Sequence, residues 1–159
     1  MANPTSSMLQ LTTTERVHMG CRAADVLLQE AELLGARRIF LLVSTSLQTN
    51  TDEIDQICRS LGDRVAAVHS GIPPHAPRSA VLAAAAVARE ASADLIVTVG
   101  GGSVTDAGSI IALALKHNLV HHDDLEPYHV FVEDDGEVIK PQFEGPDVRV
   151  ICCPTTLSG

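Results

Sequence analysis

Three short apolar runs constrain this chain more than any other feature. They are "RIFLLVS" at 38–44, "DLIVTV" at 94–99 and "VRVICC" at 148–153. None of them alternates apolar with polar residues. A strand with one wet face alternates. A strand covered on both faces does not, and that condition belongs to parallel strands flanked by helices. A fourth segment, "RVAAVH" at 64–69, reads as another buried strand. Helical patterns fill the gaps between them. Ile54, Ile57, Cys58 and Leu61 share one face of a helix over 50–61, with Asn50 and Glu53 at capping-box spacing. The run "SAVLAAAAVARE" predicts a helix over 78–91 from alanine content alone. Val104, Ala107, Gly108, Ile111 and Leu115 form a stripe on a helix over 104–116, and Gly35 closes an earlier helix over 22–34. Strand–helix alternation of this kind builds an α/β fold with a doubly wound, mainly parallel sheet and right-handed crossovers.

Residues 117–147 break the rhythm. The stretch is polar and acidic, and "VFVEDDGEVI" within it reads as a hairpin turning at Asp135–Gly136. It is read as a polar excursion within a single domain, 1–159. His117, His121, His122, Asp123, Asp124 and His129 crowd this excursion, but their spacing matches no helix-borne pair of metal ligands. A solvated loop is expected there. The whole chain carries a net charge of −9, which argues against nucleic acid and anionic membrane surfaces as partners. No apolar run approaches the roughly 20 residues of a membrane span. The opening "MANPTSSMLQL" lacks the basic start and apolar stretch of a secretory signal. A soluble, cytoplasmic protein is expected. Cys21, Cys58, Cys152 and Cys153 fit no CxxC pattern and read as small buried hydrophobes in a reducing compartment, with Cys152 and Cys153 on opposite strand faces.

The chemistry concentrates in "TVGGGSVTDAGSIIALAL", 98–115. A buried strand meets three glycines and then opens a helix. Helix N-termini present unpaired N–H groups and the positive end of a dipole, so they hold phosphate readily. Gly100, Gly101 and Gly102 let the backbone approach a ligand with no Cβ in the way, and Ser103 is placed to cap the helix or to donate to a phosphate oxygen. Gly108, further along the helix, permits close packing on the sheet. The string is neither a P-loop, since no Gly-Lys-Ser/Thr follows, nor GxGxxG, since Thr105 stands in the last glycine position. Spacing alone leaves two readings open: a phosphate cradle or a tight structural turn.

The residues themselves resemble a known family. "GGGSVTDAGSIIALAL" is similar to the glycine motif of the iron-containing alcohol dehydrogenase superfamily, GGGSxxDxxKxxA. "CCPTTLSG" resembles its second cofactor motif, a strand followed by PTT and a turn of small residues. "GARRIFLLVS" resembles its first strand. "SLGDRVAAVHSGIPPHAP" resembles the maleylacetate reductase branch, including an HxP element at His75. The match runs in the expected order over nearly the whole chain.

The resemblance implies a Rossmann-like domain that binds NAD or NADP. Gly100, Gly101, Gly102 and Ser103 match residues at the pyrophosphate, and Asp106 matches the motif aspartate near the cofactor. Thr155 and Thr156, with Ser158 in the turn after them, match the adenine and ribose side. His75 matches a position beside the cofactor and reads equally as a loop histidine. Ser109 replaces the motif lysine. Ser44 and Thr45 stand where many members carry an aspartate for the adenosine ribose, so use of both NADH and NADPH is expected. No Arg or Lys lies nearby in sequence to reward a 2′-phosphate strongly, Arg78 on the next loop being the one candidate to approach. The family also implies a small-molecule substrate, a homo-oligomer (a dimer) in the full-length form, and a helical second domain absent here. Any iron or zinc is expected only through that second domain, and this chain alone is expected to be inactive. Hydride transfer between NAD(P)H and a carbonyl or alcohol is the expected reaction, possible alternatives being a dehydroquinate synthase-like or glycerol-phosphate dehydrogenase-like domain, or a stand-alone nucleotide-binding module.

Overall fold

The structure is a computed structural model and describes residues 14–132, 136 and 138–156. Four parallel strands form one sheet in the order β2-β1-β3-β6: β1 (Ile39–Val43), β2 (Val65–Ser70), β3 (Leu95–Gly100) and β6 (Arg149–Pro154). Every residue of β1 and β3 is buried, as their nearly continuous apolar character predicts. Alternation still sorts the side chains by face. Phe40, Leu42 and Ile96 face α4 (Arg78–Glu90) and α5 (Gly102–His117). Ile39, Leu41, Val43, Leu95, Val97 and Val99 face α1 (Ala23–Leu33) and α3 (Glu53–Leu61). The two cores lie on opposite sides of one sheet, which is the doubly wound arrangement expected from the sequence.

Local chemistry explains the element ends. Gly35, at φ 67°, follows α1 in the left-handed region, as expected of a residue just past a helix end. Asp94 receives the backbone N–H groups of Arg37 and Arg38, both at 2.9 Å, and so ties the start of β3 to the start of β1. The segment before α1 is strapped down by Glu30. Its buried carboxylate takes both Nε and Nη2 of Arg16 and meets His18 Nε2 at 2.8 Å. The Arg16 hydrogen bond first, then that of His18, holds the Glu30 carboxyl below the usual carboxylate range.

Four expectations change. The helix expected over 50–61 is α3, which starts only at Glu53; Asn50 instead ends a separate short helix, α2 (Thr45–Asn50), and Asp52 precedes α3 without a side-chain cap. The Asn50–Glu53 capping box is therefore not formed. β6 is not covered on both faces, because among the described residues it is an edge strand: Cys152 is exposed and Val150, Ile151 and Cys153 are only half-buried. β2, the other edge, is likewise half-buried along its length, with Val68 exposed. The cysteines are not uniformly buried either, since Cys21 and Cys152 are exposed and Cys58 and Cys153 intermediate.

The excursion contains a 3-10 segment, His122–Tyr128, whose Leu125 plugs into the α4–α5 core. Beyond it, β4 (Phe131–Val132) pairs antiparallel with β5 (Val138–Ile139). That is the expected hairpin. Of its expected turn, Gly136 has φ 86° and Asp135 lies outside the described residues.

Candidate functional site at the carboxyl edge of the sheet

In a parallel sheet the strands all finish at the same edge, and ligands sit outside it. Here β1 ends at Val43, β3 at Gly100 and β6 at Pro154, side by side. The segments leaving these strands are stitched together by backbone. Ser44 N–H donates to Val99 O at 2.9 Å, and Thr155 N–H donates to Gly100 O at 3.0 Å. Ser44, the glycine loop and the Thr155–Thr156 pair are thus one continuous rim.

None of Gly100, Gly101 and Gly102 has a positive φ, so the loop does not need glycine for its backbone angles. What it needs is the missing Cβ. At Gly100 a Cβ would lie 2.9 Å from Val104 Cγ2 and 3.2 Å from Ser44 Cβ. At Gly101 it would lie 3.2 Å from Thr156 Oγ1. The first two glycines therefore serve close packing of the rim on itself. Gly102 differs: nothing lies within 4 Å of where its Cβ would be. Its bare face is open to solvent, and there a ligand can come down onto backbone.

Helix α5 starts with Gly101 as its N-cap, and no side chain caps it. Ser103 is the second helical residue rather than the cap, which corrects one of its two expected roles. Its Oγ accepts the His75 N–H at 3.0 Å. The first bonds back along the helix run from Val104 and Thr105 to Gly101 O. Gly102 and Ser103 precede them, so their N–H groups have no acceptor within the helix. The first turn of α5 carries no acid, while Lys116 and His117 sit in the last turn. The positive end of a 16-residue helix dipole is left uncompensated at the rim, in a chain of net charge −9. Asp106, one turn in, is exposed on the same helix.

The His75 loop reaches the rim from the other side. His75 and Ala76 both adopt left-handed angles, φ 65° and 44°. Each such residue costs about 1–3 kcal/mol when it is not glycine. Pro73, Pro74 and Pro77 flank the pair, and Ala76 N–H closes a turn on Pro73 O at 3.1 Å.

The structure thus brings together Ser44, Gly100, Gly101, Gly102, Ser103, His75, Thr155 and Thr156. Ser44 is also the N-cap of α2, accepting Leu47 N–H at 3.3 Å, and Thr45 is that helix's first residue. The α2 turn escaped sequence reasoning because a six-residue helix with no buried side chain leaves no apolar stripe to find. Ser158 lies outside the described residues. Arg78 begins α4, where its guanidinium pairs with Glu126 of the excursion. The Arg78 contact holds the Glu126 carboxyl below its ordinary range.

The histidine-rich excursion is organised differently. Asp124 accepts the N–H groups of Val120 and His121, each at 2.8 Å, which holds its carboxyl below the usual range. His117 bonds Glu144 O at 2.9 Å and packs against Tyr128 and Phe143. Among the described residues, no group of three or more His, Cys, Asp or Glu side chains is arranged to hold a metal ion. Nor is any described helix long and apolar enough to cross a membrane.

Comparison with known proteins converges on this edge-and-loop architecture. The family model "Iron-containing alcohol dehydrogenase" matches residues 14–159. Maleylacetate reductase 2 of Cupriavidus pinatubonensis is 38% identical over 104 residues, covering 65% of this chain and 28% of the relative. A crystal structure of 1,3-propanediol oxidoreductase superposes with a TM-score of 0.63 at 26% identity, over 84% of this chain and 32% of that one. The maleylacetate reductase of a Rhizobium species shares the fold with a TM-score of 0.60 at 23% identity, over 92% of this chain and 43% of that one. The chain spans under half the length of each of these proteins. It belongs to the iron-containing alcohol dehydrogenase family, on its maleylacetate reductase-like side.

Proposed function

We propose that residues 1–159 form the nicotinamide-cofactor-binding domain of an oxidoreductase. In the whole enzyme, hydride would pass between NAD(P)H and a small carbonyl or alcohol substrate of the maleylacetate kind. The observation that carries this is the open face of Gly102 at an uncapped helix N-terminus on the carboxyl edge of the sheet. The residues present fit the group. The N–H groups of Gly102 and Ser103, the Ser103 hydroxyl and the α5 dipole would hold the pyrophosphate. Thr155 and Thr156 would flank the adenosine, and Ser44 and Thr45 would meet its ribose. The cofactor, when bound, supplies the hydride chemistry. This domain supplies orientation and a positive end for the anionic bridge. Turnover, and any iron or zinc, would depend on a helical domain outside residues 1–159, and the full-length protein would work as a dimer on a small-molecule substrate in the cytoplasm.

Titration calorimetry with ADP-ribose tests the reading. The unaltered chain should bind, and Gly102→Val should abolish binding while leaving the circular dichroism spectrum and melting temperature close to those of the parent. Equal affinity in the two forms would overturn it. At the ribose end, Ser44 carries no charge to repel a 2′-phosphate. Affinities for NADH and NADPH should therefore differ by less than about tenfold, or about 1.4 kcal/mol. Ser44→Asp should move the ratio towards NADH by charge repulsion. A hundredfold preference for NADH in the parent would refute dual use.

A further inference from the structure

His75 is exposed, and among the described residues its imidazole makes no hydrogen bond or ring contact. Its backbone does. The N–H is delivered to Ser103 Oγ by a turn fixed by its prolines and by its packing on α4 and α5. Pro73, Pro74 and Pro77 each fix one φ angle. Ile72 and Ala76 pack into the α4–α5 core, and the N–H groups of Ala80 and Val81 close the start of α4 on Pro77 O. The two left-handed residues, His75 and Ala76, aim the amide.

A serine hydroxyl has one proton to give and two lone pairs to receive with. With one lone pair taken by His75 N–H at 3.0 Å, the proton must point away from His75. No acceptor for it occurs among the described residues. In the free chain solvent can take it, since Ser103 is only half-buried; a ligand seated over the first turn of α5 takes it through an acceptor oxygen. We propose that the His75–Ala76 turn is a positioning device: through its backbone N–H, His75 turns the Ser103 proton outwards, ready to donate to a phosphate oxygen of the bound dinucleotide. The inference rests on the cofactor reading above and adds a role for the main chain, not the imidazole, of residue 75.

Two measurements on the chain test it, one with ligand and one without. ADP-ribose affinity is measured for the parent, His75→Gly, His75→Val, Ser103→Ala and the His75→Val/Ser103→Ala double variant. Glycine keeps the N–H and accepts the left-handed angle, so His75→Gly should bind within about twofold of the parent. Valine, branched at Cβ, resists that angle. His75→Val and Ser103→Ala should each weaken binding about tenfold, as expected for one hydrogen bond to a charged group. If His75 acts through Ser103, the double variant binds no worse than Ser103→Ala alone. Without ligand, amide hydrogen exchange at His75 should speed up about tenfold in Ser103→Ala, because its acceptor is gone. Additive losses in the double variant, or loss of binding in His75→Gly, overturn the proposal. Unchanged exchange at His75 in a chain that binds ADP-ribose overturns it while sparing the cofactor reading. A parent chain that fails to bind ADP-ribose refutes the cofactor reading, and this proposal with it.

Discussion

β3 and β6 lie side by side in register from Leu95↔Arg149 to Gly100↔Pro154, and both read as nearly continuous apolar runs, yet they occupy different environments. β3 is buried at all six positions. β6 exposes Arg149, Cys152 and Pro154 and half-buries the rest. The difference is one neighbour. β3 has β1 on one side and β6 on the other; among the described residues β6 pairs with β3 alone. Apolar content tells what a strand can tolerate, whereas the count of neighbouring strands decides what it is given. The glycine loop grows from the buried strand, so the backbone that would hold the pyrophosphate is anchored on both flanks, by Ser44 and by Thr155.

The sharpest test of that contrast is Gly108, where α5 crosses the β3–β6 boundary. A Cβ there would lie 2.3 Å from Thr98 Cγ2 of β3 but 3.4 Å from Val150 Cγ1 of β6. The rigid neighbour is the buried strand, so Gly108→Val should cost about 3 kcal/mol or more, since a packed core cannot yield. Urea unfolding measures it. A loss under about 1 kcal/mol would mean that β3 is softer than its burial says.

Next come truncations on the two strands. Ile96→Ala in β3 removes a side chain that is 0% exposed and should cost about 3–4 kcal/mol. Ile151→Ala in β6 removes a half-buried one and should cost about 1 kcal/mol. Equal losses would show that β6 is covered in solution, and the contrast would fail.

Cysteine chemistry separates the two faces of β6 itself. Burial, and then the neighbouring Cys152, pushes the Cys153 thiol up to about 11. Cys152, on the open face, should react with a disulfide reagent at pH 8 well before Cys153, whose rate should climb as pH approaches 11. The sign for stability follows. In the unfolded chain this thiol ionises near its ordinary value of 9, while in the folded chain it keeps its proton longer. The stabilisation is complete below pH 9 and is lost as pH rises towards 11. Equal labelling of both thiols at pH 8 would contradict the burial difference.

The smallest effect concerns Thr98, whose buried hydroxyl has no hydrogen-bond partner. Thr98→Val keeps the shape against Gly108 and removes the orphaned group. It should raise stability by up to about 1 kcal/mol. A destabilised variant would mean that the hydroxyl is satisfied in solution. The structure offers no functional account of this threonine.

Much of this protein was determined by sequence alone. Unbroken apolar runs separated by amphipathic stretches require parallel strands with helices on both faces, because only that arrangement covers such strands. The strand–loop–helix junction at 100–102 was readable too, because three glycines follow a buried run and precede an amphipathic one, though spacing left open whether the loop cradles a phosphate or only turns. Tertiary structure decided the rest. The position of β6 at the sheet edge, and with it the exposure of Cys152, follows from strand order, which no residue in β6 encodes. The partition of the three glycines, two for packing and one for the open face, exists only once the helix brings Val104 back over Gly100 and the distant Ser44 and Thr156 arrive. The grip of the His75 main chain on Ser103 joins residues 28 positions apart. It left no trace in the pattern because a backbone N–H is the same in every residue but proline, and only the fold says where it points.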